Sequence, residues 1–591
     1  MGVRNLAICA ALTVLATGCA AKTEVATAPV QAPQTYPSVK LVQWSDFHSN
    51  IYELSKGEAS ALGGLPVFMA AVEALRGDGL SLLVDGGDMF QGAMPFNEAK
   101  GLGMIEVMNA LKIDVSTLGN HEFDYGAGAA YPDLKRGALY EAIERSEFPW
   151  VNANVVPAAG NDEPWPPKNL SPYVIVNKGP YRIAIVGVLS TETPIITKAE
   201  MVAGLEFHSP AETLKQIIPE IVNEKPDYII VDAHVTGLPN PLPERGVVVT
   251  DAVFDGEVAE ILALPDEILQ HIDLILTAHS HKSVVAHQGN LTVIQTLSAG
   301  RELTEMTLVG DEKGLHLDRA SIKKHELSHE PIDAACGETQ KPLSKIQVGD
   351  LEIMPSEKGR EIVAKYEGLM TSDRCERLGC SDEEIVRHYT GECPLGNLVT
   401  DAMRAKYPES EMALLNPGGL RIELPKGSLY RETINTLMPF DNYAYYIEMP
   451  GADIARIMKM SSSLDHGAFQ VSGMTYTIEN GCHNPEDLNG DGKIEPWENN
   501  CLCGDIQIGD KPLEPERMYK VVVSDFLFNG GDGLVGMFSR AKIIDKGPVV
   551  KSMINDYMKS MNGCLTTERL VSKEKPRIIN GQCGGKFYET K

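Results

Sequence analysis

Between Cys19 and Cys336 the chain has no cysteine, so a metal centre in its first half must be built from oxygen and imidazole donors rather than thiolates. Positive charge is short as well: 53 Lys and Arg stand against 81 Asp and Glu, a formal net charge of −28. That balance disfavours attraction to nucleic-acid backbones or anionic membranes, suits divalent cations, and keeps an exported protein in solution. Long apolar runs are missing too. The one near the start, Leu6 to Ala16, is too short to span a bilayer. With 43% hydrophobic and 23% charged residues, neither disorder nor a fibrous repeat is indicated. At 591 residues the chain exceeds one core at about 100 to 200 residues per domain, and two large domains are expected.

What is present begins with Arg4, the apolar run, and small residues before Cys19, the pattern of a secretion signal over 1–19. Ala16-Thr-Gly-Cys19 resembles the lipobox at which bacterial lipoproteins are cleaved and acylated, which makes Cys19 the candidate lipidation site. Residues 20–38, rich in Ala, Thr, Pro and Gln, read as a flexible tether. The expectation is an exported chain, an outer-membrane lipoprotein or periplasmic protein of a Gram-negative bacterium. It would touch the membrane by its lipid anchor only and bind no nucleic-acid polymer. Nine cysteines remain, at 336, 375, 380, 393, 482, 501, 503, 564 and 583. An oxidising compartment makes them disulfides, with at least one thiol left over and the pairing unreadable.

From Val39 onward short apolar runs recur: 39–44, 80–84, 113–115, 183–188, 228–231, 272–276 and 293–296. Each is followed by helix-compatible sequence, which suggests α/β layers. Five runs end in chemically able residues: Ser-Asp46-Phe-His48, Asp85-Gly-Gly-Asp88, Gly-Asn120-His121, Asp232-Ala-His234 and Ala-His279-Ser-His281. Ligands of α/β sheets bind beyond the carboxyl ends of strands, so clusters far apart in sequence are expected to meet on one face. A bland alternative stands beside this: Gly-Asn-His turns are common in capping, and His-X-His on a strand splays to opposite faces. Such donors suit zinc, manganese, iron or cobalt, two ions fit, and a carboxylate such as Asp88 can bridge them.

Asp-X-His, Gly-Asp, Gly-Asn-His-Glu, His and His-X-His, in that order, resemble the calcineurin-type metallophosphoesterases. Phe123-Asp124, Glu392-Cys-Pro-Leu-Gly-Asn-Leu398, Asn416-Pro-Gly-Gly-Leu-Arg421, Met438-Pro-Phe440 and Phe526-Leu-Phe-Asn-Gly-Gly-Asp-Gly533 resemble the two-domain bacterial 5′-nucleotidase family over about 39 to 575. The resemblance implies a four-layer β-sandwich with flanking helices at 39–330, a linker with a connecting helix at 331–372, and an α+β substrate-binding domain at 373–591. It implies one metal at Asp46, His48, Asp88 and His281, and a second at Asp88, Asn120, His234 and His279. His121 and Asp124 match the catalytic pair. Phe440 and Phe526 match rings that sandwich a nucleotide base, and Asn416, Arg421 and Asp532 match polar substrate contacts. Where some members carry an arginine directly before Glu-Cys, this chain has Tyr389-Thr-Gly391, and Pro417 replaces a more usual glycine. Between the halves, Ile362, Val363, Tyr366 and Leu369 fall at helical spacing within Ser356 to Met370, the connecting helix.

A second signature lies outside that resemblance. Asp487-Leu-Asn489-Gly-Asp491-Gly-Lys493-Ile-Glu495-Pro-Trp-Glu498 fits an EF-hand calcium loop, with oxygens from Asp487, Asn489, Asp491, the Lys493 carbonyl and Glu498. No long amphipathic helix flanks it. Met474 to Ile478 reads as a strand, and Cys482 and Cys501 bracket the loop as though a disulfide closes it. An inserted structural calcium loop is the expectation.

The function expected is release of phosphate from nucleoside 5′-monophosphates. A 2′,3′-cyclic phosphodiesterase/3′-nucleotidase or a UDP-sugar or nucleoside-diphosphate hydrolase is the alternative within the architecture. An inactive nucleotide- or calcium-binding surface lipoprotein is the alternative outside enzymes.

Overall fold

The computed structural model describes residues 36–589 except 57–59, 162, 313, 333–335, 337–341, 371–372 and 496. The expected signal sequence, Cys19 and most of the tether lie outside the described residues.

The apolar runs are strands, but of two sheets rather than one. Val39–Trp44, Ser81–Asp85 and Val115–Thr117 lie side by side and parallel in the first, with Glu302–Asp311 antiparallel at the flank of Val39–Trp44. Tyr181–Leu189, Tyr228–His234, Leu274–Thr277 and Leu291–Gln295 run parallel in the second. Each sheet has seven strands. Leu41, Val84, Ile185, Ile230, Leu276 and Met306 fill the layer between them. Their other faces are covered by helices: Leu65–Arg76, Leu102–Leu111 and Gly137–Arg145 on the first sheet, Pro210–Asn223 and Gly256–Leu262 on the second. Burial on both faces is why these strands read as continuous apolar runs instead of alternating ones. Each fully buried Leu, Ile or Val in such a core is worth about 1.5–3 kcal/mol.

The C-terminal half is built on a five-stranded sheet, ordered Gln470–Ser472, Met412–Leu415, Met518–Ser524, Tyr443–Pro450 and Lys542–Val549. A four-stranded sheet carries Met474–Ile478 beside Leu502–Ile508. Helices Pro394–Lys406, Gly451–Ser462 and Val550–Ser560 complete two cores. Cysteines pair as 336–375, 380–564, 482–501 and 503–583, and Cys393 is the buried free thiol.

The connecting helix spans Glu357–Glu367 and is capped by Ser356, whose hydroxyl accepts from Gly359 N–H at 3.1 Å. Ile362, Val363 and Tyr366 pack into the N-terminal core, with the Tyr366 ring 5.0 Å from Phe96. Leu369 departs from the expected apolar face: the helix ends first, and its side chain is 73% exposed. Among the described residues no helix is long and apolar enough to cross a membrane.

Candidate active site

The five strand-end clusters meet at one edge of the sandwich. Asp46, His48, Asp88 and His281 each offer a ligand atom within 4.8 Å of the others, as do Asp88, His234 and His279, so Asp88 belongs to both groups. His48 Nε2 lies 2.8 Å from His281 Nε2, and Asp88 Oδ2 lies 3.1 Å from His234 Nε2. Asn120 Oδ1 is buried with no partner.

Backbone conformation explains how residues two apart turn the same way. Asp46, His48, Asp88, His279 and His281 all have positive φ, between 51° and 73°. For residues other than glycine this left-handed region is uncommon and costs on the order of 1–3 kcal/mol each, a cost typical of functional loops. His279 and His281 lie beyond the end of Leu274–Thr277 and so escape the alternation that would splay them on a strand. Gly119 is needed for space rather than for a left-handed turn: a β-carbon there would sit 2.3 Å from Asp88 Oδ1.

Hydrogen bonding shows whether cations fit. His234 Nδ1 donates to Gly86 O at 2.8 Å and His48 Nδ1 to Phe90 O at 3.2 Å, so both rings aim Nε2 into the cluster. There Nε2 of His48 faces that of His281, and Nε2 of His234 faces the Asp88 carboxylate. Burial opposes a charge on His234, yet Asp88 holds its imidazole up at about 10, so a proton lies toward Asp88 where a cation would replace it. Converging imidazole nitrogens, an orphaned amide oxygen and a shared carboxylate form a donor set that divalent cations complete.

His121 stands beside the ligands. Its Nδ1 donates to Asp124 Oδ2 at 2.7 Å, its backbone N–H donates to Asp88 Oδ1 at 2.8 Å, and its ring lies 5.0 Å from His48. Burial works to lower this imidazole, but the carboxylates of Asp124 and Asp88 outweigh it and the net shift is upward.

Glu122 escaped the sequence reading although it stands within Gly-Asn-His-Glu. It is 1% exposed and accepts four backbone N–H groups, from Gly119, Asp88, Met89 and Phe90, at 2.7 to 3.3 Å. One carboxylate thereby ties two ligand loops together. Burial, then the neighbouring Asp88, pushes it upward. A charged residue inside a motif flanked by apolar runs was the available signal.

The C-terminal half closes over this edge. Arg421 Nη2 is 3.1 Å from His48 Nε2, the Phe440 ring is 5.8 Å from His121, and the Arg421 guanidinium lies over Phe440. Asn416 and Asp532 are buried against each other, and Phe526 is half-buried beside Gly531. Arg387 turns away to Glu423 and Leu420 O, while Tyr389 covers the Asn416–Gly419 turn.

The family model described as calcineurin-like phosphoesterase matches residues 39–283, and that of the 5′-nucleotidase C-terminal domain matches 371–540. The chain belongs to the two-domain metallophosphoesterases of the 5′-nucleotidase type. It is a metal-dependent phosphoester hydrolase. A 5′-nucleotidase of Vibrio cholerae is 26% identical over 90% of this chain and 93% of its own length. The cell wall protein Lmo0130 of Listeria monocytogenes is 25% identical over 89% of this chain and 68% of its own. Among solved structures, a 5′-nucleotidase precursor from Thermus thermophilus shares the fold, with TM-score 0.69 and 22% identity, covering 92% of this chain and 99% of that one.

The calcium-type loop is a different kind of site. Glu498, fully buried, accepts from Leu488 and Asn489 N–H at 2.9 and 2.7 Å. Asp487 accepts from Gly490 and Gly492, Asn489 from Asp491, and Asp491 from Lys493. Its carboxylates are not among the described groups of three ligands within 4.8 Å.

Proposed function

We propose that this chain hydrolyses nucleoside 5′-monophosphates to nucleoside and phosphate at a two-cation centre. Asp46, His48, Asp88 and His281 would hold one ion, and Asp88, Asn120, His234 and His279 the other. Their donor chemistry suits zinc, manganese, iron or cobalt. Bound there, such ions polarise phosphoryl oxygens and make a nucleophile available from water near neutral pH.

The chain's own residues do the rest. Asp124 holds the Nδ1 proton of His121 and, with Asp88, favours the imidazolium against burial, so that Nε2–H would donate to a phosphoryl oxygen as charge develops. The observation that carries the reading is Arg421 Nη2 at 3.1 Å from His48 Nε2. A guanidinium aimed at a cation ligand makes sense when an anion bridges the two, and Phe440 beside it offers a face for a base. Arg387 is committed to Glu423, so Arg421 is the grip on phosphate. Phe526, Asn416 and Asp532 would complete the nucleoside pocket.

Calcium at Asp487, Asn489, Asp491, the Lys493 carbonyl and Glu498 belongs to the same proposal, as does export with acylation at Cys19. The four disulfides support an oxidising compartment.

The test is phosphate release by the metal-loaded chain from AMP, 3′-AMP, cyclic 2′,3′-AMP, ADP and UDP-glucose, with Asp88→Asn as control. AMP is expected to lead, with activity lost on substitution. Preference for a cyclic, 3′- or diphosphate substrate moves the assignment to that class. Silence on all five overturns it.

A further inference from the structure

The calcium-type loop is anchored on the nucleoside side of the C-terminal half. Cys482–Cys501 closes its base. Arg456 and Lys459, on the helix Gly451–Ser462, bind Leu488 O at 2.9 Å and Glu486 Oε1 at 2.7 Å. Its eleventh residue, Trp497, points inward: a β-carbon on Gly533 would stand 2.7 Å from Trp497 Nε1. In the same turn, a β-carbon on Gly531 would stand 2.5 Å from the Phe526 ring. The two glycines therefore allow two aromatic rings to pack closely against the segment Gly531-Asp532-Gly533.

Between those glycines Asp532 is held in the left-handed region, at φ 52°. Asp532 is 8% exposed and meets the Asn416 amide. The strain is sustained only where surroundings over-determine the turn. His466 packs on Trp497 at 5.8 Å between ring centroids. His466 Nε2 and Asn416 Oδ1 are both buried without a hydrogen-bond partner. Buried polar atoms are seldom left so, and with the Asp532 carboxylate beside them they suit a ligand rich in hydroxyl and ring-nitrogen groups.

We propose that the inserted loop buttresses the nucleoside pocket: Trp497 is a positioning residue that holds Asp532, through Gly533, in the conformation that meets the nucleoside. This rests on the nucleotide reading above. It assigns the loop a role in substrate selection, reached through one indole ring.

The experiment compares AMP with p-nitrophenyl phosphate, which has a phosphate ester but no nucleoside, using the metal-loaded full chain. Trp497→Ala is expected to raise KM for AMP about tenfold, the scale of a lost specificity contact. Its kcat/KM on p-nitrophenyl phosphate should stay within about twofold of the unmutated chain. Trp497→Phe, which keeps a ring against Gly533, should recover most of the AMP affinity. Trp497→Leu, which keeps apolar volume without the larger ring system, serves if the alanine variant melts early, and should behave as alanine does. Equal KM for AMP in the Ala or Leu variant, or equal losses on both substrates in a folded variant, overturns the buttress alone. An unmutated chain that hydrolyses p-nitrophenyl phosphate but no nucleotide takes down the nucleotide reading and the buttress with it.

Discussion

Two buried glutamates do similar work at two scales. Glu122 accepts backbone N–H groups from loops more than thirty residues away in sequence, whereas Glu498 accepts from residues nine and ten positions back in its own loop. In the calcium-type loop the side-chain oxygens of Asp487, Asn489 and Asp491 already accept N–H groups a few residues on. That loop is shaped by its own backbone. The N-terminal cluster is not: its imidazoles and carboxylates are brought together from the ends of separate strands, five of them at positive φ. A site assembled by tertiary packing needs a clamp across loops, and a contiguous site needs one only at its end.

Glu122→Gln is the strongest way to break this contrast. The amide puts a donor where backbone donors converge, stranding buried N–H groups at about 1–3 kcal/mol each. Melting temperature should fall by several degrees, and bound metal should weaken about ten- to a hundredfold, as for other groups that support ligands. Unchanged melting and metal content would mean the loops hold themselves. Next in size, His121→Ala should cut kcat about a hundredfold, or about 2.7 kcal/mol, with metal content preserved. Metal analysis decides here, because loss of an ion would make His121 a ligand instead of a partner to phosphate. The smallest effect is expected from Glu498→Gln in calcium, roughly 1 kcal/mol, or a fall of about 2 to 4 °C. Metal at the N-terminal cluster should be untouched. If the unmutated chain melts alike with and without calcium, the loop is a metal-free turn and the contrast loses one of its two sites.

Much of the frame was legible because it is written locally. Apolar runs buried on both faces marked strands such as Val39–Trp44 and Tyr228–His234. Ser356 ahead of a 3.6-residue period marked the connecting helix, whose end was misjudged at exposed Leu369 because a stop at Gly368 outweighs one apolar residue. The apolar pattern alone does not assign strands to one sheet or the other, since both draw on it; the sandwich itself was expected from the motif resemblance, and the two seven-stranded sheets meet that expectation. Glu122 was passed over because a carboxylate reads as solvent-facing until its N–H partners are seen. Trp497 has no part in the ligand spacing of its loop and so gave no signal, and its contact with Gly533 depends on how two distant turns pack.

By itself, the sequence determined which donors were on hand: Asp, Asn and His at strand ends, no cysteine between Cys19 and Cys336, and a spare cysteine that proves to be Cys393. It also determined the contiguous loop, whose ligand spacing is a matter of neighbouring residues. Only the tertiary structure decided that Asp88 belongs to both ligand groups, that Arg421 reaches His48, and that Cys503 pairs with Cys583, whereas the Cys482–Cys501 closure of the loop was expected from its bracketing cysteines. The reason is range. Residue type, period and capping act over a few bonds, whereas which loops meet follows from burying two sheets and their helices against one another, a term summed over the whole core.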